Sequence, residues 1–237
     1  MCYDYDSLSN NNTNLSILQE GNIYVSNVSN FTAILSDIIL PQYVPKEGNS
    51  LTIHKDDEVV YQVTNSKNEI ELLKNLSNKA QNVSNNISII DLGECEEILR
   101  KAYHINENDS LIFIKNEQQS GKASQKNIQY EVYEPYNRIK LNLSLCDEAP
   151  VKIYIPVELN EETEQIYEQM KESGYEIFDI NDSFYQDICT PFDSQNGTDI
   201  LLSDRIDYIY NNENTKCQSN CHFSNYSKES EYLVCTC

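Results

Sequence analysis

The stretch "KCQSNCHFSNYSKESEYLVCTC", residues 216–237, places four cysteines and one histidine within 22 residues at the end of the chain. Such a density of cysteine is typical of two kinds of site: a zinc site of an intracellular protein, or a disulfide cluster of a secreted one. The choice decides the fold class, because secreted modules use disulfides to hold together short strands that a small core leaves marginal. The remainder of the chain has to supply the discriminating signal.

That signal is the number of Asn-X-Ser/Thr motifs, the acceptors of N-linked glycans. Random placement of 29 Asn before 32 Ser and Thr in 237 residues gives about four motifs (29 × 32/237), whereas the chain has 12. An acceptor motif has a function only in a chain that enters the secretory lumen, and it requires exposed backbone. We therefore expect covalent N-glycans, and no other cofactor, at Asn11, Asn14, Asn27, Asn30, Asn75, Asn82, Asn86, Asn108, Asn142, Asn181, Asn196 and Asn225.

An oxidising compartment favours disulfides over zinc, and Cys-x-Cys is a poor spacing for chelating a metal. We expect Cys235 and Cys237, which are too close to bridge each other comfortably, to pair with two of the three cysteines at 189, 217 and 221. A core bridge is expected between Cys95 and Cys146. The odd cysteine then pairs with Cys2, in its own module or in a neighbouring chain. The eight cysteines are Cys2, Cys95, Cys146, Cys189, Cys217, Cys221, Cys235 and Cys237.

Composition excludes two classes of partner. The net charge is −21 and the chain has no run of Lys and Arg, so nucleic acids and anionic membrane surfaces are not expected partners. No stretch of 18 apolar residues predicts a membrane span. The first ten residues lack the basic start and apolar run of a signal peptide, so the secreted interpretation requires that residue 1 is not the translational start.

Composition along the chain predicts three parts. Residues 1–66 read as an N-terminal glycosylated arm with a β segment, and 67–86, rich in Asn, Lys and Ser, as an exposed glycosylated linker. Residues 87–237 form a cysteine-rich β module. The expected fold is mainly β, a β-sandwich-like module with one or two short helices and a disulfide-stapled C-terminal tail.

The predicted strands are rich in β-branched and aromatic residues. They are "EVVYQVT" (58–64), 87–92, "LIFIKN" (111–116), "IQYEVY" (128–133), "IKLNLSLC" (139–146), "VKIYIPVEL" (151–159), "DILLS" (199–203) and "EYLVCTC" (231–237). In the 139–146 segment, strand alternation would place the leucines on one face and Asn142 on the solvent face.

Two helices are predicted. In "GECEEILRKAY" (93–103) the acids come first and the bases last, which complements the helix dipole. Helical spacing there places Cys95, Ile98, Leu99 and Ala102 on one inward face. The segment "NEETEQIYEQMKESG" (160–174) predicts a surface helix ended by Gly174.

From about Asp57 to Cys237 the chain contains, in order, the strings "VVYQVT" (59–64), "IIDLGECEEILRKAYHI" (89–105), "LIFIK" (111–115), "IQYEVYEP" (128–135), "LNLSLC" (141–146), "VKIYIPVEL" (151–159), "QDICTPFDSQNGTDILLSDR" (186–205), "KCQSNC" (216–221) and "CTC" (235–237). Through these strings the chain resembles an uncharacterised cysteine-rich extracellular module, often repeated in large protist surface proteins. The resemblance covers about three quarters of the chain. It implies an extracellular or cell-surface location and supplies no enzymatic activity.

Motifs for catalysis and for metals do not support an enzyme. The histidines at 54, 104 and 222 lie in no HExxH motif, no Ser lies in G-x-S-x-G, and the six glycines form no phosphate loop. Oxygen ligands cluster at 179–183 and 193–199, but an EF-hand loop counted from Asp193 has Thr198 and Asp204 where it needs Gly and Glu. A turn containing Gly197 is therefore favoured at 193–199, and no metal is expected.

Two functions remain: a structural subunit of an extracellular assembly or filament, or an adhesin or receptor-type binding ectodomain. Assembly would involve copies of the chain itself. The most apolar run, "AILSDIILP" (33–41), lies in the glycan-free window 31–74 and contains Ile38, Ile39 and Leu40. It either forms a strand within its own domain or adds to a sheet edge of the next subunit.

Overall fold

A computed structural model describes residues 2–3, 21–25, 43–55, 59–77, 87–119, 126–187, 201–210 and 215–237. The strands are β1 (Cys2–Tyr3), β2 (Gly21–Val25), β3 (Leu51–Lys55), β4 (Val59–Asn65), β5 (Ile89–Asp91), β6 (Ile112–Gln119), β7 (Lys126–Tyr133), β8 (Lys152–Pro156), β9 (His222–Ser227) and β10 (Tyr232–Thr236). The α-helices are α1 (Ser66–Ser77), α2 (Glu94–Tyr103), α3 (Glu161–Glu172) and α4 (Leu202–Arg205). The predicted mainly β fold with short helices and C-terminal disulfides is confirmed.

The chain forms two compact units, which divide it differently from the predicted boundaries at 66/67 and 86/87. The first unit lies within Met1–Gln118 and Asn127–Ile153, and the second within Gln119–Lys126 and Tyr154–Cys237. Segments distant in sequence join one unit because β6 and β7 extend the sheet that β3 and β4 begin. Such pairing leaves no signal in local composition.

The first sheet has the strand order β1-β2-β3-β4-β6-β7. Its β3–β4 and β4–β6 pairs are antiparallel, and its β1–β2 and β2–β3 pairs are parallel. The predicted arm therefore contributes two strands, at 2–3 and 21–25. Leu51 and Val63 pair across β3 and β4 and are both fully buried, as expected where apolar side chains occupy one face of a strand pair.

Helix α1 corrects the predicted exposed linker at 67–86, of which residues 78–86 lie outside the described residues. The Asn65 side chain accepts a hydrogen bond from the Asn68 N–H at 2.9 Å and so caps the helix directly after β4. Glu69 lies in the first turn and Lys74 in the last, as the helix dipole favours. Two polar residues in or beside the predicted linker have structural roles. Asn65 caps the helix, and Glu69, which is 2% exposed, places a charged side chain in the interior.

Helix α2 begins and ends as predicted, with Glu94 in its first turn and Lys101 in its last. It follows Gly93, whose φ of +51° favours glycine. Cys95 and Leu99 are fully buried, but Ile98 and Ala102 are exposed, so the predicted inward face is half as wide. A helix that contacts the core along one narrow stripe leaves the flanking apolar positions in solvent.

Two predicted strands are helical turns instead. In 139–146 the strand pairing is limited to a bridge between Tyr133 and Lys140, after which a 3₁₀ turn runs over Leu143–Cys146. The Asn142 side chain caps that turn, because a short amide side chain competes with the strand ladder for backbone N–H groups. In the predicted strand 199–203, the described residues begin at Leu201, and α4 begins at Leu202. A π-helical turn, Ile206–Tyr210, follows α4.

The second sheet has the order β5-β8-β10-β9, with β9 and β10 antiparallel. In the second unit, Tyr226 of β9 belongs to an aromatic core. The rings of Tyr167 and Phe178 stack at 5.1 Å, and Tyr226 meets both edge-on at 5.0 and 5.1 Å. Helix α3 supplies Tyr167; Asn160 caps it, and Gly174, just beyond its end, adopts a φ of +87°.

Among the described residues, no helix combines the length and apolar character needed to cross a bilayer.

Candidate functional site

The C-terminal tail is closed by two disulfides. Cys217 pairs with Cys235 and Cys221 pairs with Cys237, so a short segment before β9 is tied twice to β10. The expectation that Cys235 and Cys237 reach back to earlier cysteines is confirmed, and these four sulfurs are disulfides rather than zinc ligands. Cys189, the third candidate partner, lies outside the described residues.

The predicted core disulfide between Cys95 and Cys146 is also present. It links α2 to the 3₁₀ turn over 143–146, and both cysteines are buried in a cluster that includes Leu99 and Leu141. The bridge thus closes a 51-residue separation inside the first unit. That Cys2 completes a pair stays a prediction, because its side chain is outside the description.

Five of the 12 predicted glycosylation sites fall on described residues. The side chains of Asn108, Asn142, Asn181 and Asn225 are exposed, and Asn75 is half-buried on α1. Exposure meets the steric requirement for a glycan, and occupancy stays a prediction. The other seven, outside the described residues, are Asn11, Asn14, Asn27, Asn30, Asn82, Asn86 and Asn196.

Asn142 and Asn225 reach solvent in different ways. The Asn142 side-chain oxygen accepts the Ser144 N–H at 3.1 Å. The amide nitrogen, the atom that carries a glycan, is not used in this hydrogen bond, and the side chain is exposed. Asn225 lies opposite Val234 in β9, at the end of the strand order of its sheet. Asn225 therefore lies on a strand, whereas Asn142, for which a strand position was predicted, caps a 3₁₀ turn.

The acidic segment 179–183 forms a turn. Asp179 accepts hydrogen bonds from the backbone and side-chain amides of Asn181, and Asp182 caps a 3₁₀ turn by accepting the Phe184 N–H at 2.8 Å. Within the described ranges, no group of three or more His, Cys, Asp or Glu is arranged to hold a metal ion. The other candidate segment, 193–199, lies outside them.

Glu176 is a titratable group that the sequence did not single out. Burial raises the pKa of its carboxyl group; the nearby Lys171 opposes this effect, while Asp182 and Asp179 reinforce it. Its Oε1 is buried and has no hydrogen-bond partner within the described part of the chain. Glu176 is therefore held in an environment that disfavours its charged form.

A buried ion pair in the first unit was also missed. Lys115 Nζ on β6 lies 3.0 and 3.1 Å from the two carboxylate oxygens of Glu69 on α1, and both residues are at most 2% exposed. Lys115 also donates to the Ser88 carbonyl, and Glu69 accepts the Ile90 N–H. Each of these groups has a partner within the cluster. The cluster therefore links α1 and residues 88–90 to the first sheet.

An open groove of about 790 Å³ runs along the solvent side of α2. Its lining is largely charged, but Arg100 is committed to Glu96 and to the carbonyl of Asn106. His104 ends the helix in the left-handed region (φ +55°), as expected of a helix-end residue. His54 lies on β3 and His222 on β9. The groove can offer polar contacts to a ligand.

Tyr136 is the most exposed large hydrophobic side chain among the described residues, at 70%. Its hydroxyl donates to Asp109 Oδ1 at 2.6 Å, and this hydrogen bond raises the pKa of the phenol. The Tyr136 hydroxyl is thus bound to the residue that directly follows Asn108, a predicted glycosylation site.

Comparison with family models, with curated proteins and with solved structures finds no match to this chain.

Proposed function

We propose that this chain is a non-enzymatic, N-glycosylated structural subunit of an extracellular surface assembly or filament. The observation that carries the proposal is the combination of three disulfides with four exposed Asn-X-Ser sites on the described surface. Disulfides persist in oxidising compartments, and N-glycans are added only in the secretory lumen, so both features point to the same location. The chain needs no cofactor beyond its glycans.

The net charge of the chain opposes the self-association that the proposal requires. A net charge of −21 repels copies of the chain, so assembly requires a specific apolar contact. The run containing Ile38, Ile39 and Leu40 lies outside the described residues, and it is the proposed donor to a sheet edge of the next subunit. An edge strand presents unpaired backbone groups that such a segment can complete.

Glycan release tests the secretory part. Treatment with an amidase that cleaves N-glycans should lower the apparent mass of the native protein by many kilodaltons, and peptide mapping should locate each site. An unchanged mass would contradict the secretory location, because 12 acceptor motifs would then all be vacant.

Substitution of the apolar run tests the assembly part. Replacing Ile38 and Leu40 by Asp should abolish assembly, measured by sedimentation and negative-stain microscopy, while the subunit keeps its melting temperature. The matched control is Leu201→Asp, which changes an apolar side chain that is 69% exposed outside this run and should leave assembly intact. Unfolding of the Ile38/Leu40 variant would instead place the run in the subunit's own core.

The groove along α2 favours a second candidate function, a binding ectodomain of the adhesin or receptor type. Its volume of about 790 Å³ is within the range of ligand sites in proteins. Microscopy of native material separates the two candidates, since fibres or sheets support the structural subunit and dispersed single particles support the ectodomain.

A further inference from the structure

We propose that the ring of Tyr136 is an intramolecular platform on which the first sugars of the N-glycan on Asn108 stack. This inference rests on the proposed function, because it requires a glycosylated chain, and it adds a defined carbohydrate contact site to it. Three features of the described residues carry it: an exposed ring, the hydrogen bonds that restrain it and its link to the glycosylation site.

The ring is exposed where an ordinary aromatic residue would be packed. Tyr136 is 70% exposed, and its neighbour Ile139 in the same loop is 52% exposed. The face of a phenol ring carries partial negative charge, which attracts the weakly positive C–H groups on the apolar face of a pyranose sugar. An exposed tyrosine is therefore chemically suited to a sugar ring.

Hydrogen bonds restrain Tyr136 at its backbone and at its tip. At the backbone, the carboxylate of the mostly buried Glu134 accepts hydrogen bonds from the N–H groups of Tyr136 and Asn137. Pro135, which lies between Glu134 and Tyr136, restricts the backbone there. At the tip, the hydroxyl is bound to Asp109. A side chain whose rotamers are already restricted gives up less further entropy when it binds, which is the physical basis of preorganisation.

The glycosylation site lies in a hydrogen-bonded turn, and the residue after it binds the Tyr136 hydroxyl. Asn108 lies in a turn in which the Asp109 N–H donates to the Asn106 carbonyl at 3.1 Å and the Asn108 N–H donates to the Asn106 side chain at 3.0 Å. Arg100 donates to the same carbonyl from α2. Because consecutive Cα atoms are about 3.8 Å apart, Asn108 is one residue step from the carboxylate that binds the phenol. A tethered sugar thus has a high effective concentration at the ring.

The test uses the full chain secreted from a eukaryotic host. The native protein is digested with the glycan-releasing amidase in ¹⁸O-labelled water, and the release rate at each asparagine is measured by mass spectrometry. A stack worth as much as an aromatic pair should slow release at Asn108 by about twofold to tenfold relative to Tyr136→Ala. Tyr136→Phe, which keeps the ring but loses the bond to Asp109, should keep most of the protection.

A stability cycle gives a second readout. Ser110→Ala abolishes the motif at Asn108 without changing the asparagine; it should lower the melting temperature by about 2–4 °C in the wild type and have little effect in Tyr136→Ala. The matched control is Ser144→Ala, which removes the motif at Asn142 and should be additive with Tyr136→Ala.

The outcomes separate the inference from the proposed function. If Asn108 carries a glycan whose release rate is the same with and without the Tyr136 ring, the inference is wrong and the glycoprotein assignment stands. If Asn108 alone is unglycosylated while other sites are occupied, the inference is again wrong. If no site carries a glycan, both are wrong.

Discussion

Removal of the Glu69 carboxylate by Glu69→Ala should be among the most destabilising single changes in the first unit. Lys115 is 0% exposed and, among the described residues, would be left with the Ser88 carbonyl, at 2.6 Å, as its remaining strong partner. Breaking a buried pair from one side costs about 3–5 kcal/mol. The Ile90 N–H, which donates to Glu69 at 2.8 Å, would also lose its acceptor, which adds about 1 kcal/mol.

A loss of about 4–6 kcal/mol is large against the 5–15 kcal/mol by which a typical domain is stable. Urea unfolding followed by circular dichroism measures it: with a slope of about 2 kcal/mol per molar urea, the midpoint should fall by about 2 M or more. The matched control is Glu168→Ala, which removes a carboxylate of the same length from an exposed pair with Lys228 and should leave the midpoint unchanged.

The double variant Glu69→Ala/Lys115→Met tests the cause. If the unpaired ammonium group is responsible, the double variant should be more stable than Glu69→Ala alone, because the buried charge is gone and only neutral backbone groups remain unsatisfied. The reasoning is refuted if Lys115→Met adds to the loss, or if Glu69→Ala costs no more than Glu168→Ala.

Two further predictions concern the second unit. Because the pKa of Glu176 is raised above its ordinary 4.5, the wild type should lose stability as the pH rises through that pKa; Glu176→Gln should therefore melt higher than the wild type at pH 7 and equally at pH 4, as thermal scans at both pH values would show. The Cys221–Cys237 bridge, in which Cys237 is exposed, should be reduced before the buried Cys95–Cys146 bridge under mild thiol treatment; timed alkylation with peptide mapping measures the order, and simultaneous reduction would contradict it.

The features predicted correctly from the sequence are those whose signal is local. Helix α2 was found because its acids, bases and buried Cys95 follow helical spacing over ten residues. The tail disulfides were narrowed to a few pairings because Cys235 and Cys237 cannot easily bridge each other and few cysteines lie near them. Even so, sequence left the choice among three partners open, and only folding the segment before β9 onto β10 resolved it for the described residues.

Predictions from local signals were wrong where one segment can form either of two structures. The alternation over 139–146 is real, but the Asn142 side chain binds the Ser144 N–H, and so a 3₁₀ turn replaces the strand. The polar stretch after Asn65 resembles a linker by composition, whereas Asn65 is the cap of α1. In both cases one side-chain hydrogen bond to the backbone outweighs the average character of the segment.

The sequence by itself determined the mainly β character of the chain. Its cysteines and its Asn-X-Ser/Thr motifs also led us to expect an oxidising, secretory compartment. The tertiary structure alone decided which charges are buried and which aromatic residues are exposed. Glu69 and Lys115 are 46 residues apart, and Tyr136 meets Asp109 across 27 residues. No periodicity couples positions so distant. The first contact depends on β6 lying beside β4, from which α1 follows directly, and the second on β7 lying beside β6, because burial depends on what lies opposite a side chain in space.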